Sequence, residues 1–299
     1  MKRPLALLIS VASAALLSTV SAPVASADPG DCPSMYVVAV PGTWETSNAG
    51  SPGPGMLSGV TDGLPASVEV DYVSYAATAF PWEGKVYGRS KAQAVNHTKA
   101  RLKSMADRCA GTDLAIIGYS QGADAAGDVA AEIGTGLGVV PPHRVTAVGL
   151  ISDPRRSPAD VQVGPRVAGS GAGGARLGGF GLLSHKTVTI CAVGDLYCST
   201  PEDDFVSRLA GFLAEVSGAR LGDFDQYERE AQTLVDDLVN AGGLPTLMGQ
   251  LDQPSTNKRA LKLAKFYGTA VHQDYATYPV DASGTSATTW MRNWLAAKA

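Results

Sequence analysis

LAIIGYSQGADAAGDVAAEI, residues 114–133, is the stretch on which the reading of this chain turns. Residues 114–117 are a short apolar run with the character of a buried strand, and the Ala-rich residues that end at Ile133 predict a helix. Between them Gly118, Tyr119, Ser120, Gln121 and Gly122 fit G-x-S-x-G. The string carries little weight alone; a strand entering it and a helix leaving it are the context its chemistry requires. So sharp a turn holds Ser120 in strained backbone angles, and Gly118 and Gly122 omit side chains that would clash beside it. The turn lifts the Ser120 hydroxyl above the sheet. It also aims the backbone amide of Gln121, at a helix N-terminus, toward a developing oxyanion. Ser120 is thus a candidate nucleophile and Gln121 a candidate oxyanion donor.

Outward from this turn, apolar strands alternate with helices. Residues 35–40 (MYVVAV) run unbroken to Pro41 and Gly42, as a strand covered on both faces does. Residues 68–75, 145–151 and 187–193 read as further strands. Residues 90–108 have helical spacing, with Ala94, Val95, Leu102 and Met105 on one side and Lys or Arg on the other. The alternation predicts an α/β fold with a mostly parallel five-stranded sheet flanked by helices. Residues 46–65 read as loop, and residues 164–184, which hold eight Gly, predict no regular element. Residues 202–267 predict a helical insertion. Phe205, Leu209, Phe212, Leu213 and Val216 form one apolar stripe, and Phe224, Tyr227, Leu234, Val235 and Leu238 another. Pro254 separates these from a basic helix over 257–267 that carries Lys258, Arg259, Lys262 and Lys265. A last helix, 287–297, places Trp290 and Trp294 on one face.

The 299 residues are 45% hydrophobic and 17% charged, which suits a substantial core, and the net charge of -4 offers no basic field to nucleic acid. Residues 1–27 read as a secretory signal peptide. Lys2 and Arg3 open it, an apolar run reaches Val20, and Ala25, Ser26 and Ala27 make the cleavage site. Residues 28–299 then form one domain that includes the insertion. Four cysteines in an exported chain predict two disulfides among three connectivities. Proximity pairs Cys191 with Cys198 and leaves Cys32 for Cys109.

A serine nucleophile needs a base, and the chain has four histidines, His97, His143, His185 and His272. His97 falls mid-helix on a polar, solvated face, and His143 at a surface position after Pro141 and Pro142. Two sets keep the chain order serine, acid, histidine, each after a strand: Ser120, Asp195 and His272, or Ser120, Asp153 and His185. Asp195 lies in CAVGDLYC, where a Cys191–Cys198 bridge pins its loop, and an acid that must orient an imidazole benefits from a stapled loop. Asp153, in SDPRR, reads instead as an Asp-Pro turn paired with Arg155 or Arg156, and His185 adjoins the Gly-rich stretch. The first set is preferred. Thr43, in the loop VPGTWE after the first strand, is the second candidate oxyanion donor. Trp44, Trp82 and Tyr275 are available to an acyl pocket, although aromatic residues equally fill plain core.

Together these residues resemble the cutinase-like serine esterases of the α/β-hydrolase class. GYSQG, the Cys-bracketed GDLYC and the His of VHQDYA stand in that family's order, and Cys32 and Cys109 match its other disulfide. VPGTWE, SDPRR and GGFG are similar to the cell-envelope members of mycolic-acid-producing actinobacteria, which are similar to phospholipases and thioesterases acting on long acyl chains. The resemblance spans roughly residues 32–198 and resumes near Gly268. It implies Ser120, Asp195 and His272 as the triad, with Gln121 and Thr43 at the oxyanion hole. The implied reaction is hydrolysis of lipid acyl esters or thioesters through an acyl-enzyme, with no metal or cofactor. Residues 202–267 depart from it, being longer than small cutinases carry. They either narrow access to the site, against polyester activity, or pack beside the core. Two competing functions are acyl transfer to an envelope sugar or lipid, and an inert surface-binding protein on the same fold. The lysines and Arg259 of the basic helix are either a solvated face or a peripheral contact with anionic envelope lipid.

Overall fold

A computed structural model describes residues 32–48, 53, 55–218 and 224–299. The signal peptide expected at 1–27 lies outside the described residues. Among the described residues six strands form one sheet: β1 (Met35–Val40), β2 (Val68–Tyr72), β3 (Asp113–Tyr119), β4 (Val145–Ile151), β5 (Gln162–Val163) and β6 (Thr187–Ile190). Their order is β2-β1-β3-β4-β6-β5, and every paired neighbour is parallel. The expected five strands become six. The addition, β5, is a two-residue edge strand beside Thr189 and Ile190, too short to show any apolar pattern. Two strand ends also contract: β2 stops at Tyr72 rather than residue 75, and β6 at Ile190 rather than residue 193.

The unbroken apolar run of β1 follows from helices on both faces. Tyr36, Val38 and Val40 pack into one core with Ala94, Leu102 and Met105 of α2 (Tyr87–Arg108) and with Val129 and Ile133 of α3 (Gln121–Gly134). Met35, Val37 and Ala39 face the other way. They meet Val60 of α1 (Ser58–Thr61) and Met291 and Leu295 of α8 (Ala287–Ala296). The period of two along one strand thus supplies both cores. The chain runs from β1 outward to β2 and then crosses back to β3. This puts a topological switch point between the carboxyl ends of β1 and β3, where open α/β sheets hold their ligands.

Among the described residues of 202–267 are four helices, α4 (Phe205–Val216), α5 (Phe224–Asn240), α6 (Leu244–Leu251) and α7 (Gln253–Tyr267). Asp204 and Asp252 cap α4 and α7 by accepting from the backbone of Ser207 and Ser255. Pro254 lies inside the first turn of α7 instead of ahead of the helix, where its missing N–H is not needed. The apolar stripe expected to bury α4 does so only at Phe205. Leu209 and Leu213 stay exposed, and the other buried side chain is Glu215. Charge explains this. Glu215 meets Lys91 of α2, and Lys91 also reaches Asp124 and Asp128 of α3 at 3.4 and 3.0 Å. Arg155, beyond β4, pairs with Glu230 of α5. The helices are therefore fastened to the sheet layer partly by buried polar contacts, among them the Arg155–Glu230 ion pair. Among the described residues no helix is long and apolar enough to cross a membrane.

Candidate active site

Ser120 stands where β3 gives way to α3, with φ 55° and ψ -125°. The turn is sterically tight. A Cβ on Gly118 would come within 2.4 Å of the Gly122 carbonyl oxygen, and one on Gly122 within 2.0 Å of the Val40 carbonyl oxygen. Any larger residue at either place would push α3 off the end of β1. The ladder continues through the turn, because the Ser120 N–H donates to the carbonyl of Ile151 at 2.9 Å.

Ser120 Oγ lies 3.0 Å from His272 Nε2, and His272 Nδ1 lies 2.9 Å from Asp195 Oδ2. A carboxylate only accepts, so Nδ1 carries the proton and Nε2 is left to accept from Ser120. His272 follows α7 and is fixed by its neighbours: Tyr119 OH donates to its carbonyl at 2.6 Å, and the rings of Tyr119 and Tyr197 lie 5.3 and 4.5 Å away. Asp195 is fully buried beyond β6, in the loop closed by the Cys191–Cys198 disulfide. Burial pushes its carboxyl up. The hydrogen bond and charge of His272, with the hydroxyls of Ser152 and Tyr275, outweigh that and hold it below the ordinary carboxylate value.

The rival set is not brought together. Parallel strands put Ser120 and Asp195 at the carboxyl edge of the sheet, whereas His185 is exposed just before the amino end of β6. The ion pair expected between Asp153 and Arg155 or Arg156 does not form. Asp153 accepts the Arg155 backbone N–H and takes Arg176 as its ion partner, at 2.5 and 3.1 Å. Arg176 comes from the Gly-rich stretch, which forms turns and a short 3₁₀ segment and delivers this buried guanidinium to Asp128 as well. Arg156 instead donates to the carbonyl of Cys198 at 2.7 Å, bracing the Asp195 loop. His97 is half-buried, not solvated, and its Nδ1 donates to the Ser74 carbonyl at 2.6 Å. His143 is exposed. Both disulfides, Cys32–Cys109 and Cys191–Cys198, are formed as paired from the sequence.

Gln121 is buried, and its side chain is occupied: Nε2 donates to the Thr78 carbonyl at 3.0 Å, and Oε1 lies 3.5 Å from Thr43 Oγ1. The backbone N–H remains, in a first helical turn that has no carbonyl behind it. Glu45 ties down the Thr43 loop, its two oxygens accepting from Gly42 N and Met56 N at 2.7 Å each. Burial raises the Glu45 carboxyl above its ordinary value, and these two N–H groups offset part of the rise. Two contributors escaped the sequence reading: Glu45 and Ser152, whose hydroxyl is 2.6 Å from Asp195 Oδ2. Tyr275, a pocket candidate from the sequence, serves Asp195 instead. It is fully buried, and its hydroxyl donates to Asp195 Oδ2 at 2.7 Å. Of the other two aromatic candidates, Trp44 lines the cavity, while Trp82 stacks on Phe80 and is 79% exposed.

The cavity measures about 810 Å³ and opens over Ser120 and His272. Thr43 and Tyr197 line its sheet side, and Ala210, Ala214, Leu263 and Phe266 of α4 and α7 its far side.

The protein-family model described as Cutinase matches residues 31–209. The chain belongs to the cutinase family. With that family it is a serine carboxylic ester hydrolase. This cutinase-family chain is 31% identical to the carboxylesterase Culp6 homolog of Corynebacterium glutamicum over 209 residues, 58% of this chain and 67% of the relative. Among solved structures, it is similar to the catalytic core domain of acetyl xylan esterase from Trichoderma reesei, with TM-score 0.45 and 21% identity over 63% of this chain and 97% of that one. It is also similar to lysin B from Mycobacteriophage D29, with TM-score 0.45 and 20% identity over 88% of this chain and 98% of that one. The family match ends inside α4, so most of the helical segment lies beyond it.

Proposed function

We propose that this chain is a secreted esterase of the cell envelope that hydrolyses lipid acyl esters or thioesters through an acyl-enzyme on Ser120. The observation that carries the reading is a hydrogen-bonded Ser120–His272–Asp195 relay opening into an apolar-walled cavity of about 810 Å³. As Ser120 Oγ attacks the carbonyl carbon, His272 Nε2 takes its proton, and the imidazolium faces an ionised Asp195. The backbone amides of Gln121 and Thr43 receive the oxyanion. His272 then returns its proton to the leaving alcohol or thiol. It next deprotonates the water that releases the acid.

α4 and α7 wall the cavity beside the nucleophile, which supports a linear acyl chain as the occupant and a role for residues 202–267 as a cap on the single domain 28–299. Two disulfides and the leader-like residues 1–27 support export. α7 carries four bases and no acid. Arg259 is drawn away from any lipid role by Asp204 at 3.3 Å, whereas Lys258, Lys262 and Lys265 are exposed around Leu261. Three such lysines contribute about 1 kcal/mol each near an anionic surface. Peripheral contact with anionic envelope lipid is tested by vesicle binding with the three lysines changed to Gln. Unchanged binding to anionic vesicles removes that contact from the account.

A panel of p-nitrophenyl esters of increasing acyl length, with the products analysed, tests the substrate. The expected result is a kcat/KM that climbs from acetyl to long chains and release of free acid. A preference for acetyl esters would contradict the lipid substrate. Acyl groups recovered on an added sugar or lipid acceptor would make the enzyme a transferase.

A further inference from the structure

We propose that Ser152 is a positioning residue for the Ser120–His272–Asp195 relay, a role that rests on reading that relay as catalytic. Ser152 follows β4 as Ser120 follows β3. The Ser120 N–H donates to the Ile151 carbonyl at 2.9 Å, and the Ser152 N–H to the Ile190 carbonyl at 2.8 Å. Both serines take a left-handed backbone, with φ 55° and 54°. Glycine reaches that region freely, whereas an L-residue with a side chain is strained there. At Ser120 the strain presents a nucleophile. At Ser152 it presents a fully buried hydroxyl, 2.6 Å from Asp195 Oδ2 and 3.0 Å from His272 Nδ1.

That hydroxyl has one proton, and the carboxylate can only accept, so the proton goes to Asp195. Its oxygen then faces the Nδ1–H of His272, which is shared between Ser152 Oγ and Asp195 Oδ2 at 2.9 Å. Tyr275 closes the clamp. Its oxygen accepts from the Ala192 N–H at 2.9 Å, which turns its own proton toward Asp195 Oδ2 at 2.7 Å. The other carboxylate oxygen accepts the Tyr197 N–H at 3.0 Å. Asp195 is thus prevented from rotating while the imidazole gains and returns a proton, and Ser152 is the member of the clamp whose hydroxyl also faces Nδ1 of the ring. It acts through His272 and Asp195 and not on the substrate, so its effect belongs in kcat and not in KM.

Ser152→Gly isolates the hydroxyl, because glycine accepts φ 54° without strain and the fold is kept. The expected result is a kcat lowered between about tenfold and 10²-fold with KM within about twofold, and a melting temperature equal to or above the parent's. Ser152→Ala, which keeps the strain, should lose the same kcat. Labelling of Ser120 by a serine-directed phosphonate should slow in Ser152→Gly by the same ratio. If the parent labels at Ser120 and Ser152→Gly turns over like it, the clamp is wrong and the relay stands. Lowered melting temperatures in both variants, with unchanged kcat per folded molecule, would make Ser152 a packing residue. If the parent does not label at Ser120, the relay reading fails first and the clamp with it.

Discussion

Glu215 lies on α4, the first helix of the 202–267 segment, with 2% of its surface exposed, and it sits in a crowded cluster of buried charges. Five carboxylates (Asp124, Asp128, Asp153, Glu215 and Glu230) share three cations, Lys91, Arg155 and Arg176. Such an excess of buried negative charge favours uptake of a proton. Burial and the neighbouring Asp124 push the Glu215 carboxyl well above its ordinary value, against the pull of Lys91 and Arg155. The folded chain then holds a proton that the unfolded chain releases in the ordinary carboxylate range. Stability therefore falls as pH rises from that range toward the raised value. Glu215→Gln keeps the neutral shape and removes the slope. From the ordinary carboxylate range upward the parent's melting temperature should fall more steeply with pH than that of Glu215→Gln, and parallel curves would show that Glu215 holds no such proton. Little of this cluster was legible in the sequence. Arg176 sat in a Gly-rich stretch that predicted nothing regular, and a charged side chain gives no apolar period to read. Ser120 and Asp195 were legible because each follows a strand, and His272 because the chemistry constrains the order serine, acid, histidine along the chain.

Among the elements, β1, β3 and β4 were read well because strands covered on both faces are unbroken apolar runs. β5 was missed because two residues carry no period. α2 begins at Tyr87, three residues before its apolar spacing sets in, since its first turn is held by neighbours such as Ser217, whose hydroxyl accepts the Gly88 N–H at 2.9 Å. The loop between Cys191 and Cys198 yields the sharpest element-level test. Its cysteines are 7 residues apart, against 77 for Cys32 and Cys109. The chain-entropy account gives about 2.5 kcal/mol for the short loop and about 4.5 kcal/mol for the long one. What the short bridge holds is Asp195. Replacing Cys191 and Cys198 by Ser should therefore lower turnover more than melting temperature, measured side by side. A large loss of stability with full turnover would reduce the bridge to a staple.

At the scale of the whole molecule, the all-parallel sheet brings the ends of β1, β3, β4 and β6 to one edge, and with them Thr43, Ser120, Ser152 and Asp195. His272 reaches that edge after the chain passes through α4 to α7 and returns, so the segment that walls the cavity also delivers His272. The chain order pointed to His272 across a spacing of 152 residues, and the paired 3.0 and 2.9 Å contacts bring it to Ser120 and Asp195. The central claim is that these three side chains act as one unit, and its most direct test is ester turnover by Ser120→Ala, His272→Ala, their double mutant and His185→Ala. The account predicts a loss on the order of 10⁴-fold or more for each of the first two, with no further loss in the double mutant and parent-like turnover in His185→Ala. Turnover retained by Ser120→Ala, or His185→Ala as damaging as His272→Ala, would contradict it.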